Sequence, residues 1–177
     1  MDRQWLEGEL RQLPLVLYEF FPTDTLVFSD KVRQICRQEC PMYNTSWACP
    51  PAVGEVVACR RRCLSYPNAL LLVTMAEVDD AADMSQTLPT RMPHEELTHQ
   101  VLDLVRRDGT QAMALSTESC AICPRCAWPD GPCRHPDRMF PCVESHGILV
   151  TELAERFGMD FLAAPNVVTW FSLVLYR

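Results

Sequence analysis

The sequence predicts one α/β domain over residues 1–177, a small sheet flanked by helices and carrying two cysteine-rich loops. Three observations predict it. Strand-like apolar runs alternate with helix-like periodic segments, which is the pattern of an α/β layer. No linker or internal repeat divides the 177 residues. Two stretches dense in Cys and Pro lack periodicity, so something other than an apolar core must hold them.

The elements follow in order. Leu13–Phe21 is apolar and aromatic and reads as a strand, with Thr25–Phe28 a second, short one. Ser29 caps a helix over Asp30–Gln38, which puts Cys36 near its end. Pro41 and then Pro50-Pro51 break regular structure, so Cys40 and Cys49 fall in a loop. A helix runs from after Gly54 to Tyr66, where Pro67 stops it. Ala69–Ala76 is a Leu/Val run of buried-strand type. After a polar, methionine-containing loop comes the clearest helix. Leu97, Val101, Leu104 and Val105 fall on one stripe, with Glu95 and Glu96 near its start, Arg106 and Arg107 near its end, and Gly109 after it. Gln111–Ser116 is a short strand. Residues 119–142 hold five cysteines and five prolines and form a loop. Gly147–Phe157 is helical, and Val167–Tyr176 is the last strand. Strand order is not legible at this level.

Composition excludes several classes. Hydrophobic residues make up 48% and charged residues 22%, a globular balance. The net charge of −7 disfavours non-specific binding to nucleic acid or an anionic membrane. No Gly-x-Gly-x-x-Gly or phosphate-loop pattern occurs among the six glycines. The start, Met1-Asp2-Arg3-Gln4-Trp5, lacks the basic and apolar regions of a secretory signal. The longest apolar runs are about half a membrane helix in length. These features predict a cytoplasmic protein.

Ten cysteines stand out, at 36, 40, 49, 59, 63, 120, 123, 126, 133 and 142. Without a secretion signal, metal ligation is favoured over disulfides. Cys120-x2-Cys123-x2-Cys126, with Cys133 further on, is the sharper set. Three thiolates at successive x2 spacing can wrap an iron–sulfur cubane, as in bacterial ferredoxins. Zinc, which usually takes cysteines in pairs, is the alternative. His135 lies within this set and is an alternative ligand. The first set is Cys36-x3-Cys40-x8-Cys49, with either Cys59 or Cys63 as fourth member. These two lie four apart on one helix face. Tyr43, Trp47 and Pro50-Pro51 lie within it and can shield a cluster or pack the loop. Arg33, Arg37, Arg60, Arg61, Arg62, Arg125, Arg134 and Arg138 crowd both sets and would complement a negatively charged cluster; for Arg60–Arg62 the alternative is a solvated helix face. His94 and His99 read as surface residues, and Glu144 as a helix cap or backbone ligand.

Trp47-Ala-Cys49-Pro50-Pro51-Ala-Val-Gly54 resembles the W-x-C-P-P-x-x-G segment of a bacterial and archaeal family of predicted metal-binding proteins, a domain of unknown function. Cys120-x2-Cys123-x2-Cys126-Ala-Trp-Pro-Asp-Gly-Pro-Cys133-Arg-x-Pro136 and Phe140-Pro-Cys142-Val-Glu144-Ser-x-Gly147 resemble two further segments of it. The likeness covers residues 32 to 177. It implies that Cys36, Cys40, Cys49 and Cys59 form one ligand set and Cys120, Cys123, Cys126 and Cys133 the other. Cys142 stands where the family tends to have serine, which speaks against it as a ligand. Pro41 and Asn44 replace usual glycines.

Three functions follow as expectations. The first is an electron-transfer protein with two [4Fe–4S] clusters and a redox partner protein. The second is an enzyme in which an exposed cluster iron binds substrate. The third is a zinc-stabilised binding module. Oligomeric state is not legible.

Overall fold

In the computed structural model, which describes residues 1–161 and 163–177, the chain folds around one four-stranded sheet. The strands are β1 (Leu17–Pro22), β2 (Asn68–Glu77), β3 (Ala112–Leu115) and β4 (Val167–Tyr176). Their spatial order is β1-β2-β4-β3, every pair antiparallel. The longest pairing joins β2 to β4, with Leu71 opposite Leu173 and Val73 opposite Phe171.

Both faces of this sheet are covered, which explains the unbroken apolar runs of β2 and β4. Antiparallel sheets often leave one face in water and then alternate apolar with polar residues. Here Ala69, Leu71 and Val73 point to one side, against α3 (Val56–Leu64) and α6 (Val150–Arg156). Leu70 and Leu72 point to the other, against α1 (Arg3–Leu10) and α5 (Arg91–Arg106). Leu70, Leu71 and Leu72 are all fully buried, each worth roughly 1.5–3 kcal/mol of burial. The result is an α/β architecture with a helical layer on each face.

Local signals place most of the helices. Ser29 caps α2 (Asp30–Gln38), its hydroxyl accepting the Lys31 N–H at 3.2 Å. Most of the expected α5 stripe is buried: Leu97, Val101 and Val105 are buried and Leu104 partly so. A short α4 (Met84–Thr87) lies in the methionine loop.

Several boundaries differ from expectation. α1 lies where the sequence pattern predicts no element. Asp2 caps it by accepting the Trp5 N–H at 3.1 Å, and Leu6 and Leu10 are its buried stripe. β1 begins at Leu17 rather than Leu13. Thr25–Phe28 is no strand: Thr23–Thr25 is a 3-10 turn, and Phe28 makes an isolated antiparallel bridge to Ile148. The expected helix over Gly147–Phe157 begins at Val150. Gly147 adopts a left-handed φ of 76°, closing a 3-10 turn over Glu144–His146.

Candidate metal centre

The first cysteine segment leaves the end of α2. Cys36 is in its last turn and Cys40 just beyond. The chain then folds back, the Asn44 N–H donating to the Pro50 carbonyl at 2.8 Å. Asn44 carries a φ of 60°, the left-handed conformation that a glycine would adopt more readily. This turn brings Cys36, Cys40 and Cys49 to the wall of one cavity of about 390 Å³. Cys142, Glu118 and Glu144 line the same cavity, from the other cysteine-rich segment.

The electrostatics of this cavity are uneven. Burial pushes the Cys36 thiol up to about 11, with the neighbouring Cys40 and Glu144 adding to it and Arg33 opposing. Burial also raises Cys40. Cys49 goes the other way, to about 6, because the Cys142 thiol hydrogen-bonds to its sulfur, as do Ser119 and Ser46. Cys142 is held correspondingly high. These donors favour the ionised form of Cys49, and the thiolate is the form that binds metal. Burial of its carboxyl group pushes Glu144 up to about 7, and the nearby charge of Glu118 adds to the shift.

Cys59 and Cys63 lie on α3 and are fully buried. Cys59 Sγ donates to the Val53 carbonyl at 3.4 Å and lies 3.7 Å from Arg33 Nη2. It is not on the cavity wall. Cys63 packs into the sheet-facing core with Leu71 and Phe171, and burial pushes its thiol up to about 12.

The second set stays together. Cys120, Cys123, Cys126 and Cys133 line a small cavity of about 20 Å³, alongside Trp47 and His135. The His135 backbone N–H donates to Cys133 Sγ at 3.4 Å. Arg134 braces the loop by donating to the Arg125 carbonyl at 2.9 Å.

The two segments are stitched to each other beyond the end of β3. Ser116 bridges Cys142 in parallel. Ser46 and Ser119 share a buried hydroxyl–hydroxyl bond of 2.8 Å. Trp47 donates to the Gly131 carbonyl at 3.0 Å, and Trp128 to Asn44 Oδ1 at 2.8 Å. A groove of about 820 Å³ is lined by both Cys40 and Cys120, together with Met42, Met84 and Met92.

The donor set fits a thiolate-bound metal group. All ten cysteines are free, and backbone N–H groups donate to Cys133 and Cys142 sulfurs. Hydrogen bonds to sulfur of this kind are among the features that tune iron–sulfur clusters. Among the described residues, no group of three or more Cys, His, Asp or Glu side chains is gathered tightly enough to hold a single metal ion.

Other expectations require correction. His94 is not a surface residue: it is 1% exposed and hydrogen-bonds Thr74 at 2.8 Å through Nδ1. His99 is half-buried, with its ring 4.1 Å from that of Phe140. Its neighbour Glu95 faces inward too, 3.4 Å from buried Arg91, which also donates to the Ser119 carbonyl. The arginines are not a uniform halo. Arg33 reaches the Gly54 carbonyl and Cys59, and Arg62 lies 3.3 Å from His146, but Arg138 is exposed and paired with Glu96. Glu118 and Arg91 carried no signal by type or spacing. Only their adjacency to cysteine segments in space marks them.

Fold and site together define a cysteine-rich α/β protein with two adjacent candidate metal centres. The chain belongs to the family described as "Predicted metal-binding protein (DUF2284)", which it matches over residues 19–176. No curated protein and no solved structure matches the chain. Among the described residues no helix is long and apolar enough to cross a membrane.

Proposed function

We propose that this protein is a cytoplasmic iron–sulfur protein that binds two [4Fe–4S] clusters and passes electrons to a partner protein. The second cluster is held by Cys120, Cys123, Cys126 and Cys133. The first is held by Cys36, Cys40 and Cys49, with Cys59 as the fourth ligand implied by the resemblance. When bound, the clusters supply one-electron redox chemistry. The chain's own residues hold them, limit water and set the surrounding charge.

The observation that carries this reading is the groove bordered by both Cys40 and Cys120. One cysteine of each set on a shared groove supports electron transfer between two centres. The C-x2-C-x2-C spacing supports iron–sulfur over zinc. Net acidity argues against nucleic acid as the partner.

The enzyme alternative has one observation in its favour. The first cavity is far larger than the second and carries two carboxylates, Glu118 and Glu144. A substrate-sized space beside a cluster suits an exposed iron. Zinc at both sets remains the third reading, with metal replacing core in the two loops.

Protein made without oxygen decides between these readings. About eight iron and eight sulfide per chain, with a reversible electron paramagnetic resonance signal, are expected for two clusters. Zinc without sulfide would overturn the iron–sulfur reading. A substrate that changes the spectrum of only one cluster would establish the enzyme instead.

A further inference from the structure

Cys142 is the one cavity-facing cysteine that the family likeness leaves without a role. Resting on the reading that the first set holds a metal group, we infer that Cys142, and not Cys59, is the fourth thiolate of that set.

Position is the first argument. Cys142 shares the wall of the first cavity with Cys36, Cys40 and Cys49, and Cys59 does not. The backbone holds Cys142 beside Cys49. Its N–H donates to the Ala48 carbonyl at 3.4 Å, and the Ser116–Cys142 bridge ties the same residue to the end of β3. Three ligands thus come from the α2–α3 segment and one from the segment after β3.

Hydrogen bonding is the second. The Cys142 sulfur accepts the Ser145 N–H at 3.3 Å, so this turn presents a donor to sulfur. A metal-bound thiolate keeps acceptor capacity of this sort. The Cys59 sulfur accepts from Arg33 Nη2 at 3.7 Å, but it does so away from the cavity wall. It donates its own proton to the Val53 carbonyl at 3.4 Å and is fully buried. Its partners are a backbone carbonyl and Arg33 rather than the cysteines of the cavity.

Chemistry is the third. Serine at this position would be a poor soft-metal ligand, whereas cysteine matches the other three donors. The Ser-to-Cys difference from the family pattern therefore changes the donor set of this chain in particular.

Metal, iron and sulfide content per chain, measured on protein made without oxygen, tests the inference. The variants are Cys142→Ala, Cys142→Ser, Cys59→Ala and Glu144→Gln, each checked for fold by circular dichroism. Cys142→Ala is expected to lose about half of the bound metal, the share of one of two sites. Cys59→Ala is expected to keep all of it. Should Cys142→Ala not fold, full retention in Cys59→Ala together with an altered cluster spectrum in Cys142→Ser sustains the inference. Loss of half the metal in Cys59→Ala or Glu144→Gln, with Cys142→Ser unchanged, overturns it. A wild-type chain that holds only one site's metal, indifferent to all four changes, overturns the reading of the first set itself. If zinc is found in place of iron, the same halving in Cys142→Ala still assigns the ligand.

Discussion

The indole rings of Trp47 and Trp128 meet edge-on with centroids 4.7 Å apart. Each ring also donates its N–H across the junction, Trp47 to Gly131 and Trp128 to Asn44. One aromatic pair therefore clasps the first cysteine segment to the second. Trp47→Ala removes the ring contact and one hydrogen bond from a half-buried position. The expected cost is about 2 kcal/mol, read as a lower urea midpoint. A fall in metal retention at both sets is expected with it, because Trp47 also borders the second cavity.

Arg91 joins α5 to the cysteine region from beneath. Its side chain is 5% exposed, pairs with Glu95 at 3.4 Å and donates to the Ser119 carbonyl. Arg91→Met would leave the Glu95 carboxylate buried without its cation. Breaking such a pair costs about 3–5 kcal/mol. Thermal denaturation should show that loss, and restoring packing volume alone should not recover it. The double variant Arg91→Met/Glu95→Leu should be more stable than Arg91→Met.

Gly147 closes the 3-10 turn over Glu144–His146, just after Cys142. Its φ of 76° lies in the left-handed region, and a Cβ there would come within 2.9 Å of Val56 Cγ1 and 3.3 Å of the Ser29 carbonyl. Gly147→Ala should cost about 1–3 kcal/mol. The same change at Gly109 has a similar φ but open space, so its cost should be smaller. Comparing the two urea midpoints separates steric crowding from backbone strain.

His94 predicts a pH dependence of stability. Burial holds its imidazole down at about 4, against about 6.5 in the unfolded chain. The fold therefore favours the neutral ring. Its contribution is complete above about pH 6.5 and is lost as pH falls towards 4, at up to about 1.4 kcal/mol per unit. Between pH 7 and 5 this amounts to about 2 kcal/mol. His94→Gln should be less stable at pH 7 yet show a shallower decline on acidification, measured by urea denaturation at both values.

The sequence by itself determined what is local. The Ser29 cap, the α5 stripe, the two long apolar strands and the Cys120–Cys133 spacing each place their signal within about a dozen residues. Periodicity and capping act over that range, so α2, α5, β2 and β4 were legible. The cap and stripe of α1 were equally local, in Asp2, Leu6 and Leu10, and a reading of the amino terminus for helix signals would have found them. The tertiary structure alone decided what depends on partners far along the chain. Strand order rests on pairings such as Leu71 with Leu173, a hundred residues apart. His94 reads as polar but is buried, because β2 and β4 run beneath α5 and Thr74 supplies its hydrogen bond. Cys142 reads as a spare thiol, and only the junction of the two loops sets it beside Cys49. Spacing reveals a ligand set when the ligands are neighbours in the chain. It is silent about residues from another segment, because nothing local records which distant residue the fold will bring to the cavity wall.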